Sequence, residues 1–138
     1  MDELVRWLGV QLDEDERIAR AVEDRSAPWD GQWMADGNSA VRTYNGHVLF
    51  YRHGSGPLKP GLTDHVAEWD PARVLREIDA KRQILRDLEQ AELTLSKAEP
   101  GTPPHDLMTG AVNLLRRTVR LHAEVYDQRP GYREEWRP

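Results

Sequence analysis

No cysteine occurs among the 138 residues, which excludes a disulfide framework and any thiolate metal site. No apolar run approaches the ~18 residues of a membrane span, so a membrane protein is not expected. The opening Met1-Asp2-Glu3-Leu4 is acidic where a signal peptide is basic. Together these absences point to a cytoplasmic protein. Phenylalanine occurs once and lysine three times. The bulk of a core must therefore come from aliphatic residues, five Trp and four Tyr. Apolar residues make up 38% of the chain and charged residues 31%, of both signs. That is lean, but unlike the one-sign composition of a disordered chain. The length predicts a single domain over 1–138.

The net charge of −5 is unevenly spread. Residues 1–25 carry eight acids against four arginines, whereas 116–138 carry six arginines against four acids. No stretch has the dense basic patch that duplex nucleic acid requires, so nucleic acid is not an expected partner. Arginine outnumbers lysine sixteen to three, a bias common in GC-rich genomes.

Apolar residues recurring mostly at three- and four-residue steps (Leu4, Leu8, Leu12, Ile18 or Ala19, Val22) predict a helix from Asp2 to about Asp24, with Asp2 as cap. Its Asp13-Glu14-Asp15-Glu16 run diverges around a helix and reads as a solvated face, not a cation site. After a break at 26–31 the period falls to two. Gln32–Ala35, Ala40–Tyr44 and His47–His53 read as three strands, and Asn45-Gly46 predicts a two-residue type I′ hairpin. In that register Tyr44 faces His47, Arg42 faces Leu49 and Val41 faces Phe50. Val41, Thr43, Val48, Phe50 and Arg52 then share the core face. The segment 54–62 is a Gly/Pro loop, followed by a short turn over His65–Trp69 capped by Thr63 or Asp64.

Asp70-Pro71 starts a long helix with seam Val74, Ile78, Lys81, Leu85, Leu88, Glu92 and Leu95. Glu99–Pro104 ends it. A third helix is expected from about Asp106 to Tyr126 with two adjacent seams. One is Leu107, Ala111, Leu114, Thr118, Leu121, Val125; the other is Met108, Val112, Leu115, Val119, His122, Tyr126. The pair implies a broad buried face. The aromatic end, through Tyr132 and Trp136, is expected to pack down. The fold class is α+β: an N-terminal helix, a small three-stranded antiparallel meander and a long antiparallel helical hairpin.

Catalytic signatures are missing. No histidine spacing matches a metal motif, and no serine sits in a strand–elbow–helix context. Gly54-Ser55-Gly56 lacks the downstream residues of a phosphate loop. His65, beside Asp64 and one turn from Glu68, reads first as part of a capping network. The richest surface is the outer hairpin face, where Arg42, Tyr44, His47 and Tyr51 offer flat rings, a cation and a titratable group. Such a set suits a protein partner or a stacked nucleotide-like ligand.

Several strings occur in a familiar order: Pro28-Trp29, His65-Val66-Ala67, Asp70-Pro71-Ala72-Arg73-Val74-Leu75 and Tyr132-Arg133-Glu134-Glu135-Trp136-Arg137-Pro138. The chain resembles an uncharacterised family of small proteins from actinobacteria and their phages. The resemblance implies an accessory role and no reaction. Relatives carry zinc-like cysteines after the long helix, where this chain has Glu99–His105, and a second His where it has Trp69.

The expected function is thus a non-enzymatic, phage- or prophage-linked interaction protein without cofactor or metal, acting through a protein partner or itself. A small-ligand binder is the alternative. The width of the apolar stripe on the long helix predicts a homodimer through residues 74–95. Chelator treatment is expected to leave the helical circular-dichroism signal unchanged, as the ligand inventory supplies no structural metal site.

Overall fold

The computed structural model describes residues 3–22, 31–51, 54, 59 and 61–138. The expected Asp2 cap, the break over 26–30 and the strand end at 52–53 lie outside these residues, as does most of the 54–62 loop. In chain order the elements are α1 (Glu3–Ala21), β1 (Trp33–Asp36), β2 (Ala40–Thr43), β3 (Val48–Tyr51), α2 (Leu62–Glu68), α3 (Pro71–Lys97), α4 (Pro103–Glu124) and a 3-10 turn at Glu134–Trp136. The strands form one antiparallel meander in the order β1-β2-β3. The α+β architecture is therefore as expected. By internal contacts the chain divides into two compact units, one of Met1–Asp13 with Asp79–Pro138, the other of Glu14–Ile78.

In the unit 14–78, the Asp-Pro signal acts as a helix start and does more. Asp70 Oδ1 accepts a hydrogen bond from the Arg73 backbone N–H at 2.7 Å, while Oδ2 accepts one from the Trp33 N–H at 3.1 Å. One carboxylate thus caps α3 and pins the first residue of β1. Ala72 N–H donates to Gly31 O at 2.9 Å beside it. A side-chain cap of this kind contributes about 1 kcal/mol. Helix α2 begins before the expected Thr63 or Asp64. Gly61, at φ 82°, takes the cap position, and Thr63 is buried with its hydroxyl donating to Gly37 O at 2.6 Å. That bond ties α2 to the β1–β2 turn.

The β2–β3 connection corrects the expected hairpin. Gly46 N–H donates to Thr43 O at 3.0 Å and Thr43 N–H to His47 O at 2.8 Å, so the loop holds three residues, Tyr44-Asn45-Gly46. Only Gly46 has positive φ, at 97°. A type I′ turn needs positive φ at both central residues, and Asn45 does not supply it. Its side chain instead accepts a hydrogen bond from the Thr43 hydroxyl, which in turn accepts one from His47 N–H at 3.0 Å. This is the type I turn with a following left-handed glycine. Thr43 consequently lies opposite His47 and Arg42 opposite Val48, where the sequence suggests Tyr44–His47 and Arg42–Leu49. A bulge between Val41 and Arg42 absorbs Leu49 and restores the expected Val41–Phe50 pair. The longer loop and the bulge offset one another. Val48 leaves the expected core face and is exposed, while Val41 and Thr43 are fully buried.

In the unit 1–13 with 79–138, α1 buries Leu4, Leu8 and Leu12, α3 buries Leu88 and Ala91, and α4 buries Val112, Val119 and Ala123. Helix α4 begins three residues earlier than expected. Pro103 and Pro104 occupy its first turn, where no intrahelical N–H is needed, and Thr102 precedes it with extended backbone angles. The C-terminal segment packs on α1, as the aromatic content suggests. Trp7 lies 5.6 Å from Tyr132 and 5.3 Å from Trp136, ring centre to ring centre, and its indole N–H donates to Pro130 O at 3.1 Å. Arg133 pairs with Glu3, and Arg129 stacks 4.6 Å over the Tyr126 ring.

Because only Gly46 carries the left-handed backbone of the loop, Gly46→Val should destabilise the protein by about 1–3 kcal/mol. Asn45→Ala should cost clearly less, since Asn45 has ordinary φ. Chemical denaturation of the two variants tests the ranking.

Candidate interaction surface

The five residues singled out from sequence fall in the unit 14–78, and none of them lines either of two cavities formed by described residues. Arg42 sits on β2 and is held by Asp36, Nε to Oδ2 at 2.7 Å. Its charge is therefore committed within the meander. Tyr44 stands in the three-residue loop and Tyr51 at the end of β3, both largely exposed. His47 is half-buried, directly opposite Thr43. His65 is exposed on α2, with its ring 6.3 Å from that of Trp69. Glu68, its suggested carboxylate neighbour, instead accepts from Arg73 Nη1 at 2.8 Å, and Arg73 lies 4.1 Å over the Trp69 ring. Among the described residues no group of three or more His, Asp or Glu side chains is placed to hold a metal ion. Nor is any helix long and apolar enough to cross a membrane.

Two cavities lie elsewhere. One, of about 290 Å³, has a floor of Val5, Gly9, Leu85 and Leu88. Its rim includes Arg82, held by Asp13 at 2.6 Å, and Glu92, held by Arg116 at 2.6 Å. The other, of about 230 Å³, lies in the unit 14–78 between Ile18, Val22, Val74, Trp33 and Trp69. Neither is lined by Arg42, Tyr44, His47, Tyr51 or His65.

The feature that stands out is on α4. Its seam of Met108, Val112, Leu115, Val119, His122 and Tyr126 faces the interior, half-buried to buried throughout. Burial, with a smaller contribution from the Lys81 charge, lowers the pKa of His122 and favours the neutral imidazole suited to that position. Arg116 bonds Glu92 of α3 through Nε and Nη2, at 2.9 and 2.6 Å. The second seam is largely exposed, with Ala111 and Thr118 half-buried. Leu107 is 73% exposed, Leu114 67%, Leu121 49% and Val125 69%. The broad buried face expected from the doubled seam is therefore half right: one stripe packs inward and the other faces solvent. The physical reason is angular. Helical residues advance about 100° each, so the Leu107 stripe lies well over a quarter-turn from the centre of the buried face. Sequence periodicity finds both stripes and does not say which one the chain itself covers.

On α3 the balance is the reverse. Ile78, Leu88 and Ala91 are buried, and Val74, Leu85 and Leu95 half-buried. The residues 74–95 that suggest a dimer seam are thus mostly spent on packing within the chain.

A family model, described as a family of unknown function (DUF6221), matches residues 1–138. The chain belongs to this family. Comparison with curated proteins and with solved structures finds no match. The matched span includes both the Asp70-Pro71 helix start and the closing Tyr132–Pro138 string.

That closing string has a geometric requirement. Gly131 has φ 86°, and a Cβ built there would lie 2.9 Å from Trp7 Nε1. The indole cannot retreat without lengthening its bond to Pro130 O. Gly131→Ala should accordingly destabilise the fold by about 1–3 kcal/mol. Tryptophan fluorescence should report a loosened Trp7 environment below the unfolding transition; an unchanged spectrum and midpoint would remove Gly131 from this role.

Proposed function

We propose that this member of the family is a non-enzymatic accessory protein, phage- or prophage-linked and cytoplasmic, that works by binding a protein through the solvent-facing seam of α4. The observation carrying this reading is the exposure of Leu107, Leu114, Leu121 and Val125 on one helical stripe. Scattered surface leucines are ordinary; a continuous apolar row is the usual mark of a contact surface. With the half-buried Ala111 and Thr118 between them, the positions repeat every three or four residues, the pattern by which an amphipathic helix reads a partner helix or groove. The arginine-rich composition and the resemblance to proteins of actinobacteria and their phages support the proposed setting.

Leu114→Glu and Leu121→Glu together test it. Both side chains are exposed, so the melting temperature should change little. Every protein that the wild type captures specifically from an actinobacterial lysate should be lost by the double variant. Captured proteins retained by the variant would place the binding surface elsewhere.

A further inference from the structure

The exposed stripe of α4 is a heptad seam. Leu107, Ala111, Leu114, Thr118, Leu121 and Val125 follow one another at steps of four, three, four, three and four. Leucine occupies one core position of each heptad, and Ala, Thr and Val the other. The backbone stays helical to the last of them, since Val125 has φ −58° and ψ −24°. About 27 Å of helix is thus marked for another helix. The large side chains of this face stay exposed, with Ala111 and Thr118 half-buried between them, and Arg116–Glu92 and the buried Val112, Val119 and Ala123 hold the helix in place from behind.

Building on the proposed role of this seam, we infer that its occupant is α4 of a second copy, paired antiparallel about a two-fold axis near residue 116. The argument is one of self-complementarity. Read against its own reverse, the seam places a large side chain opposite a different, mostly smaller one in each layer: Leu107 against Val125, Ala111 against Leu121, Leu114 against Thr118. A parallel pair would set Ala111 against Ala111 and leave a gap flanked by two leucine layers. Gly110 fits the same arrangement. It lies in the interior of α4, where glycine is unfavourable, has an ordinary negative φ, and a Cβ there would meet nothing within 4 Å. Nothing in the chain's own packing asks for it. Leu107, Gly110, Ala111 and Leu114 are the four corners of a knobs-into-holes socket, and its two small members leave room for Leu121 of the other copy.

The flanks agree on one side and set a limit on the other. Leu115 meets Leu115 and Met108 meets His122 along the edge nearer the core, extending the apolar contact. Along the outer edge Arg117 meets Arg117 at the axis, a like-charge contact. The dimer is therefore reversible, and salt strengthens it by screening that pair. A helix already ordered by its own unit loses little further freedom on pairing, which lets a short seam suffice.

The absence of native cysteine makes the alignment directly testable by cysteine substitution. Sedimentation equilibrium of the full chain across the micromolar range should show a monomer of 15.9 kDa in exchange with a dimer, with dimer increasing as salt is raised. Leu114→Glu should leave only monomer. Arg117→Cys should form a covalent dimer under mild oxidation by diamide, because the axis brings position 117 onto itself. Leu121→Cys should not, because it faces Ala111. Cross-linking of Leu121→Cys but not Arg117→Cys would overturn the antiparallel alignment. A monomer at every concentration, with neither variant cross-linking, would overturn the second copy as occupant. In that case the protein-binding reading stands if the Leu114→Glu, Leu121→Glu variant still loses its captured partners, and falls with it if it does not.

Discussion

The carboxylate of Asp70 is the point on which the unit 14–78 turns. Its two oxygens answer two backbone donors, one three residues away at the opening of α3 and one 37 residues away at the opening of β1. Helix starts leave backbone N–H groups without intrahelical partners, and a strand end has a similar need. Asp70 meets both with one charge. Pro71 contributes by having no N–H to satisfy. With β1 pinned, its pairing to β2 runs in simple register from Trp33–Thr43 to Asp36–Ala40. Thr63 then locks α2 to the turn that follows β1. The meander is small, and much of its definition comes from these polar ties.

Most of this architecture was legible in the sequence because the decisive signals were local. Asp-Pro before an apolar heptad leaves little choice but a helix start, and alternating residues around Asn-Gly leave little choice but a hairpin. What escaped was the loop length. Asn45-Gly46 serves a two-residue turn if both residues take positive φ, and a three-residue loop if only the glycine does. The choice rested on Thr43, whose buried hydroxyl engages both Asn45 and His47 N–H. The alternation places Thr43 on the core face, but which partners its hydroxyl takes has no sequence signature. The same holds for the bulge at Leu49, which silently restored the register.

The candidate site was legible only in part. Arg42, Tyr44, His47 and Tyr51 attract notice by residue type, yet Arg42 is answered by Asp36 within the sheet and the others line neither cavity. The α4 seam was visible as periodicity and misread as interior. Apolar spacing states that a face can be buried; it carries no information on how many neighbours the chain has to cover it. With one phenylalanine and few large residues in the tail, the available cover went to the Val112–Val119 side. The glycine at 110 was the additional signal, since a helix-interior glycine with no local demand points to a close approach from outside.

The packing of Trp7 against the segment 130–136 has a consequence for synthesis on the ribosome. The indole hydrogen-bonds a carbonyl 123 residues downstream. Until that carbonyl has left the exit tunnel, α1 can form its turns but cannot bury this face. The contact is among the longest in sequence that the chain makes, and such closures are slow because loop entropy is lost before any contact is gained. During translation the nascent chain therefore presents Trp7 to whatever waits at the tunnel mouth. Folding of this unit waits for residues 130–136 to emerge, since only they bring the ring partners of Trp7 to the first helix.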